Sequence, residues 1–450
     1  MAMTTNVSAP GVGSVSTKTD LRAMTIATAL FFMWGFLTSL NDILIPHLQN
    51  IFELNYTQAM LVQFAFFSSY FLFALPAGKL VEWRGYKQTM VIGLVVMAAG
   101  ALLFLPAAAF ALYGFFLSAL VVLAAGITCL QVSANPYVAN LGPEKTAASR
   151  LNFSQAFNSL GTTLAPKIGG LLILGSVATS TQITPEKLHS LSAAVAQTYR
   201  EQQASSVRLP YLAIAFALLA LALALGFLKL PPMASNQNTQ DFRPGAFDET
   251  TGQKDTIWRH PWLLMGALGI FLYVGAEVSI GSFLVKYFGL PNVMGFSEVT
   301  AAGYVTFYWG GAMIGRFIGS AVLQRLRTGM VLGFAAVGAC LLVGISMLSH
   351  GPTAMWTIIA VGFFNSVMFP SIFTLGLSHL GSLTSRGSSL MVAAIVGGAL
   401  LPLLEGYMAD RTGVQHAFII PVICYVFIAA FGFAARNLMT ANVPPAAVSD

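Results

Sequence analysis

The side chains of this sequence that could do chemistry lie inside long apolar runs. Asp42 and Glu277 are carboxylates among hydrocarbon side chains. Such a group is costly in a membrane, and where it occurs it faces a cavity, a partner or a transported ion. It can take up a proton and become neutral, or offer its oxygens to sodium. Two other readings stay open: Asp42 as an interfacial acid, and Glu277 as a structural partner of Arg316. Glu405 lies near the end of its apolar run and reads as a boundary residue.

The neutral polar groups form two sets. Gln131 and Asn135 are four apart and share one helix face. Pro136, next in line, removes a backbone bond and can open a carbonyl to a cavity. Asn152, Gln155, Asn158 and Thr162 recur at spacings of three and four, one polar stripe along a helix. Amides donate and accept hydrogen bonds, which suits sugar hydroxyls. They also bridge membrane helices, but four in a row exceed what packing needs, so the stripe reads as a sugar site. Trp34, Phe36, Tyr273, Tyr308, Trp309, Phe364, Phe369 and Phe373 are the aromatics that could stack on a pyranose; packing is the plainer role for any one of them. The six histidines and three cysteines show no metal or disulfide spacing, so no metal and no cofactor is expected. His47 could tune Asp42 or sit at the interface, and Lys167 reads as snorkelling.

The elements that must hold these groups are legible from composition. The chain has 450 residues, 56% hydrophobic and 8% charged, against about 25% charged in a soluble domain. Charge that sparse leaves lipid as the bulk solvent. Basic residues sit singly in loops, which gives no nucleic-acid footprint. Twelve apolar segments follow, roughly 24–47, 59–79, 88–109, 112–140, 152–177, 209–230, 261–288, 299–322, 329–349, 353–379, 388–408 and 415–436. Each is long enough to cross about 30 Å of hydrocarbon as a helix.

The polar stretch 231–259 divides six spans from six. The expected organisation is a tail (1–23), a six-helix bundle (24–230), a linker (231–259), a second bundle (260–437) and a tail (438–450), with a pseudo-two-fold axis along the membrane normal. Lys and Arg concentrate on one side, which puts both termini in the cytoplasm. Segment 178–208 then lies outside, with no readable role. No phosphate-cradling motif is present, so transport must draw on an ion gradient or on the solute's own.

The loop after the second span reads Gly78-Lys79-Leu80-Val81-Glu82-Trp83-Arg84-Gly85-Tyr86-Lys87. Gly78 permits close helix approach, Glu82 favours a helix start, and Arg84 and Lys87 follow. This resembles the Gly-x-x-x-Asp-x-x-Gly-x-Lys/Arg loop of the major facilitator superfamily, with Glu82 in place of Asp. Weaker echoes occur at Gly315-Arg316-Phe317 and from Gly406 to Gly413. A gating role for Gly78, Glu82, Arg84, Gly85, Lys87 and Arg316 is what that likeness implies.

Trp34-Gly35-Phe36, Asn41-Asp42-Ile-Leu-Ile-Pro46, Gln63-Phe64-Ala-Phe66, Leu75-Pro76-Ala77-Gly78, Gln131-Val-Ser-Ala-Asn135-Pro136-Tyr137, Leu151-Asn152-Phe153-Ser-Gln155-Ala-Phe157-Asn158 and Gly397-Gly398 narrow it. They resemble the fucose–galactose–glucose:cation symporters over nearly the whole membrane region. The resemblance implies an all-α fold of twelve transmembrane helices in two six-helix bundles, no enzyme activity, and hexose import by cation symport. It makes Asp42 the first-helix acid of coupling and sugar binding. Fucose-type members carry glutamate at Gln131 and glutamine at Glu277; glucose/galactose-type members share the glutamate at 277. The sugar set expected is Gln131, Asn135, Gln155, Asn158, Asp42, Glu277, Tyr273 and Phe36, with Asp42 and Glu277 coupling to protons or, alternatively, sodium. A bacterial inner-membrane monomer in the lipid bilayer is the expected form. The rival readings are export of sugars or drugs by antiport, and a membrane sugar sensor.

Overall fold

A computed structural model describes residues 21–52, 56–169, 207–228 and 256–438, with single positions at 195, 198, 201 and 205. The side chains of 40–47, 49–50, 56–60, 63, 166–169, 298–299 and 302 lie outside that description. So do segment 178–208 almost entirely, most of the 231–259 linker and nearly all of both tails.

The described helices are α1 (Leu21–Phe52), α2 (Tyr56–Phe110), α3 (Tyr113–Ala139), α4 (Ala147–Gly169), α5 (Arg208–Phe227), α6 (Pro261–Gly289), α7 (Glu298–Arg325), α8 (Thr328–Leu348), α9 (Gly351–Asn365), α10 (Met368–Leu377), α11 (Thr384–Ala393), α12 (Gly397–Thr412), α13 (Val414–Ala417) and α14 (Ile419–Ala434). Among the described residues, nine helical stretches are long and apolar enough to cross a membrane. One of them, within α2, is two spans joined at Gly85, whose φ of 80° and ψ of 169° break the helix. That backbone shape costs an L side chain dearly and glycine little. The spans missing from the nine are α4 and α7, which carry Asn152, Gln155, Asn158, Arg150 and Arg316. Counting α2 twice and adding these two gives the twelve expected. The helices least suited to lipid are thus those that line the interior. Two spans are broken: α9 passes into α10 at 366–367, and α11 into α12 through a tight turn at Ala394–Val396.

The packing repeats with a shift of six spans. In the first half α1 lies on α4, and α2 lies on α3 and α5; in the second, α6 lies on α12, α7 on α9, and α8 on α14. The halves meet chiefly through two contacts that this shift exchanges, α4 with α7 and α2 with α11, and α11 also touches α3. Large apolar side chains such as Phe71, Phe216, Leu223, Leu341 and Ile423 face outward, as a lipid solvent requires. At the turn after α3, Arg150 donates to the carbonyls of Val138, Ala139 and Gly142, which ties the end of that helix to the start of α4.

Candidate functional site

The site is built where the two polar spans face each other. On α7, Arg316 donates to the Ser159 hydroxyl and, at 3.4 Å, to the Gln155 carbonyl of α4, across the boundary between halves. Its other terminal nitrogen lies 3.9 Å from the Glu277 carboxylate, a long ion pair between groups about seven-eighths covered. The Tyr273 hydroxyl donates to Glu277 at 2.8 Å, one helical turn away on α6. Glu277 therefore pairs loosely with Arg316 and tightly with Tyr273. The guanidinium spends its better hydrogen bonds on the opposite half. Both readings of Glu277 survive this geometry: the ion pair exists, and its length leaves the carboxylate free for another ligand.

A polar network backs Glu277 that the sequence did not announce. Asn365 donates to the Tyr308 hydroxyl at 2.9 Å and accepts from Tyr425 at 2.8 Å; its carbonyl accepts from Tyr273 at 3.1 Å. Asn365, Tyr273, Tyr308 and Tyr425 are all buried. Of the four, the sequence singled out only Tyr273 and Tyr308, as aromatics, and only the crossing of α6, α7, α9 and α14 joins them. Tyr273 and Tyr308 thus spend their hydroxyls on protein. The Tyr273 and Phe369 ring centroids are 6.4 Å apart, and Phe369 stacks on Phe373 at 5.8 Å.

On the first half, Gln131 and Asn135 are buried on one face of α3 as their spacing requires. Gln131 donates to the Tyr70 hydroxyl at 3.1 Å, while its oxygen and both amide atoms of Asn135 have no partner among the described residues. Buried amides left open are costly, and a ligand rich in hydroxyls would satisfy them. The α4 stripe is more divided than its spacing implies. Asn158 donates to the Phe31 carbonyl of α1 at 3.0 Å, and Asn152 to the Arg316 carbonyl of α7 at 2.7 Å. Thr162 bonds back to the Ser159 carbonyl at 2.8 Å. Two of the amides therefore hold helices together as well as lining the interior, while the Gln155 side chain makes no such bond among the described residues. Phe36 is half-buried and stacks on Phe32, which opens onto a groove of about 660 Å³ between α1 and α5. Asp42 is on α1, with its side chain, like those of Asn41, His47, Gln63 and Lys167, outside the described residues.

Of the residues expected to gate, Gly78 and Glu82 lie where α2 meets α11, and Arg316 lies at the α4–α7 contact. Ser385 and Ser388 of α11 donate to the carbonyls of Gly78 and Val132, at 2.9 and 2.8 Å. Arg386 pairs with Glu82 at 2.6 Å. Ser149 and Ser320 bond each other's carbonyls between α4 and α7. A Cβ on Gly78 would stand 1.9 Å from the Ser389 hydroxyl, so glycine is what lets α2 and α11 touch. Lys87 donates to the Gly226 carbonyl at the end of α5 at 2.8 Å, and Arg84 lies over Trp83 at 4.0 Å. Glu405 corrects the sequence reading: it is two turns from the end of α12, but fully buried rather than at a boundary. Position along the helix suggested solvent, and packing against α6 removes it.

The family model of the Major Facilitator Superfamily matches residues 26–395. The chain belongs to the major facilitator superfamily. It is 50% identical over 410 residues to a glucose/galactose transporter of Brucella abortus, covering 91% of this chain and 93% of that one. It is 35% identical over 404 residues to the L-fucose-proton symporter of Escherichia coli, covering 90% of each. This places it in the branch that the motifs of α1, α3 and α4 resemble. Among solved structures, the major facilitator transporter FucP in its outward conformation superposes with a TM-score of 0.83 at 34% identity, over 92% of this chain and 98% of that one. The fold is the twelve-span major facilitator fold, and these relatives are transporters rather than enzymes.

Proposed function

We propose that this chain imports a hexose of the glucose/galactose kind by symport with protons, through alternating access between its two halves. The observation that carries the reading is the α4–α7 contact. There a titratable carboxylate, Glu277, is tied through Arg316 to Gln155 and Ser159 of the opposite half, the half in which the buried amides of Gln131 and Asn135 keep unpartnered atoms. An ion that discharges Glu277 changes how strongly Arg316 is held, and so changes the balance between conformations. The Brucella and Escherichia relatives are named for glucose/galactose transport and fucose-proton symport, which supports both solute class and ion. The sugar contacts proposed are Gln131, Asn135, Gln155 and Asn158, with Asp42 and Glu277 as coupling acids, and Tyr273 and Phe36 beside them.

The closed end, at Gly78, Glu82 and Arg386, faces the cytoplasm in this reading, as the Lys/Arg bias of the loops demands. The conformation is then open outward, the state of the FucP structure it superposes on. The site of action is a bacterial inner membrane, the termini are cytoplasmic, and the working unit is a monomer. Purified protein in liposomes, given labelled glucose or galactose and either a proton or a sodium gradient, tests this. Concentrative uptake under the proton gradient is expected. Uptake driven by sodium alone would replace the ion, and efflux-only transport would reject import.

A further inference from the structure

Glu405 is the carboxyl that neither the amide site nor the Arg316 bridge uses. Its side chain has no exposure, and neither oxygen has a hydrogen-bond partner among the described residues. It packs at the α6–α12 contact, which is tight: a Cβ on Gly275 would overlap Leu401, and one on Gly397 would overlap the Phe271 carbonyl. The Ser279 hydroxyl of α6 lies against it, and the Cys424 thiol of α14 and the Tyr308 phenol of α7 are within reach of its charge. Ser279 is itself buried without a partner, so hydroxyl and carboxyl lie together with no bond closed between them. Among the described residues, no Lys, Arg or His pairs with Glu405; Arg316 is turned to Glu277 and α4, and Arg411 lies over Tyr407.

An ionised carboxylate stripped of water, cation and donors is not a stable arrangement. Sodium is no better served, because two carboxyl oxygens and one hydroxyl fall short of the oxygen shell that a hard cation needs. A carboxylic acid fits: it is neutral, and its one proton can turn toward Ser279.

The helix that carries it can move. Pro402 removes a backbone bond one turn before Glu405, and the Ala394–Val396 turn interrupts the same span. Ser279 is two residues from Glu277 on α6, so a shift of α6 reaches both acids at once.

We infer that Glu405 is a second proton carrier of the transporter, protonated while α6 and α12 are packed as here and exchanging that proton with water when they part. The step breaks the carboxyl O–H bond, leaves a carboxylate, and passes the proton to water as hydronium; return reverses it. The inference rests on the proton-symport reading above and assigns part of that coupling to the second half.

The test is infrared difference spectroscopy of the whole protein in lipid, wild type against Glu405→Gln, with transport measured on the same preparations. Glutamine keeps the shape and cannot ionise. The expected result is a protonated-carboxyl stretch at neutral pH in the wild type that is absent from Glu405→Gln. Counterflow exchange of sugar should stay within about twofold, while the pH dependence of gradient-driven uptake should flatten. An identical carboxyl band in both proteins, or a variant whose uptake keeps the full pH dependence, overturns the inference. If Glu405→Gln does not fold, Ser279→Ala decides: the wild-type band should move when the facing hydroxyl is removed, and an unmoved band counts against Glu405. Wild-type liposomes that show no proton-driven uptake would refute the symport reading and the carrier role with it, whereas proton-driven uptake with an unchanged band or pH dependence in Glu405→Gln refutes Glu405 alone.

Discussion

Gly78→Ala is the perturbation whose effect follows most directly from the geometry. The added methyl would stand 1.9 Å from the Ser389 hydroxyl, 3.0 Å from its Cβ and 3.4 Å from the Ser385 carbonyl. The hydroxyl can rotate away, but the Cβ cannot, so α2 and α11 must separate. Overpacking of this kind costs about 1–3 kcal/mol. Separation also weakens the Ser385 bond to the Gly78 carbonyl, 2.9 Å long, worth about 1 kcal/mol. Under the alternating access proposed above, this contact belongs to the state closed at this end, so both losses fall on that state. The closed state should therefore lose about 2–4 kcal/mol relative to the alternative, a shift of roughly thirty- to several-hundred-fold in the population ratio. Spin labels at Trp83→Cys and Ser382→Cys, in a background with Cys129, Cys340 and Cys424 replaced, would read the distance across this end. The expected outcome is a longer distance populated without sugar, with slower net uptake. An unchanged distance distribution in a folded Gly78→Ala protein would refute the argument that α2–α11 contact holds this end shut.

Other substitutions separate the roles proposed for the polar groups. Gln155→Ala removes an amide that makes no helix–helix bond, and should weaken sugar binding roughly tenfold or more in a titration, on a loss of about 1–3 kcal/mol. Asn158→Ala also severs the bond to the Phe31 carbonyl, so its melting temperature should fall along with its sugar affinity; unchanged affinity in both variants would reject the amide site. Asp42→Asn and Glu277→Gln should each abolish gradient-driven accumulation more completely than sugar exchange, and accumulation that survives in both would show that neither acid carries coupling. Arg386→Met breaks a pair whose arginine is half-exposed, a contact worth about 0–1 kcal/mol, so uptake should change by less than about fivefold. A larger loss there would mean that the pair does more than hold two surfaces together.

Much of the architecture was readable because lipid enforces simple rules: apolar length gave the spans, and loop charge gave an orientation to test. The amide stripe on α4 was readable as a periodicity, but its division was not. Whether Asn158 offers its nitrogen to a sugar or to Phe31 depends on how closely α1 approaches, which Gly35 and Gly161 decide between helices far apart in sequence. Glu405 failed for a related reason, since distance from a helix end says nothing about which neighbour covers the side. The Asn365 network had no periodic signature at all, being one residue from each of four helices. Gly85, in contrast, was marked by its motif, and the backbone there takes the left-handed φ that only such a residue adopts without strain.

The hydrogen bonds that close the protein share a design with consequences for how its cycle can be adjusted. Gly78, Val132, Gln155, Arg316 and Ser320 all contribute main-chain oxygens, and the donors opposite them are mostly single hydroxyls or amides. Substitution cannot delete a backbone acceptor; it can only remove one donor at a time. Each removal alters the closed state by about 1 kcal/mol and leaves its register intact. The latch therefore behaves as a graded dial rather than as a lock. A lineage of such proteins could retune turnover against retention of solute in steps of a few-fold, serine by serine, without rebuilding the contact.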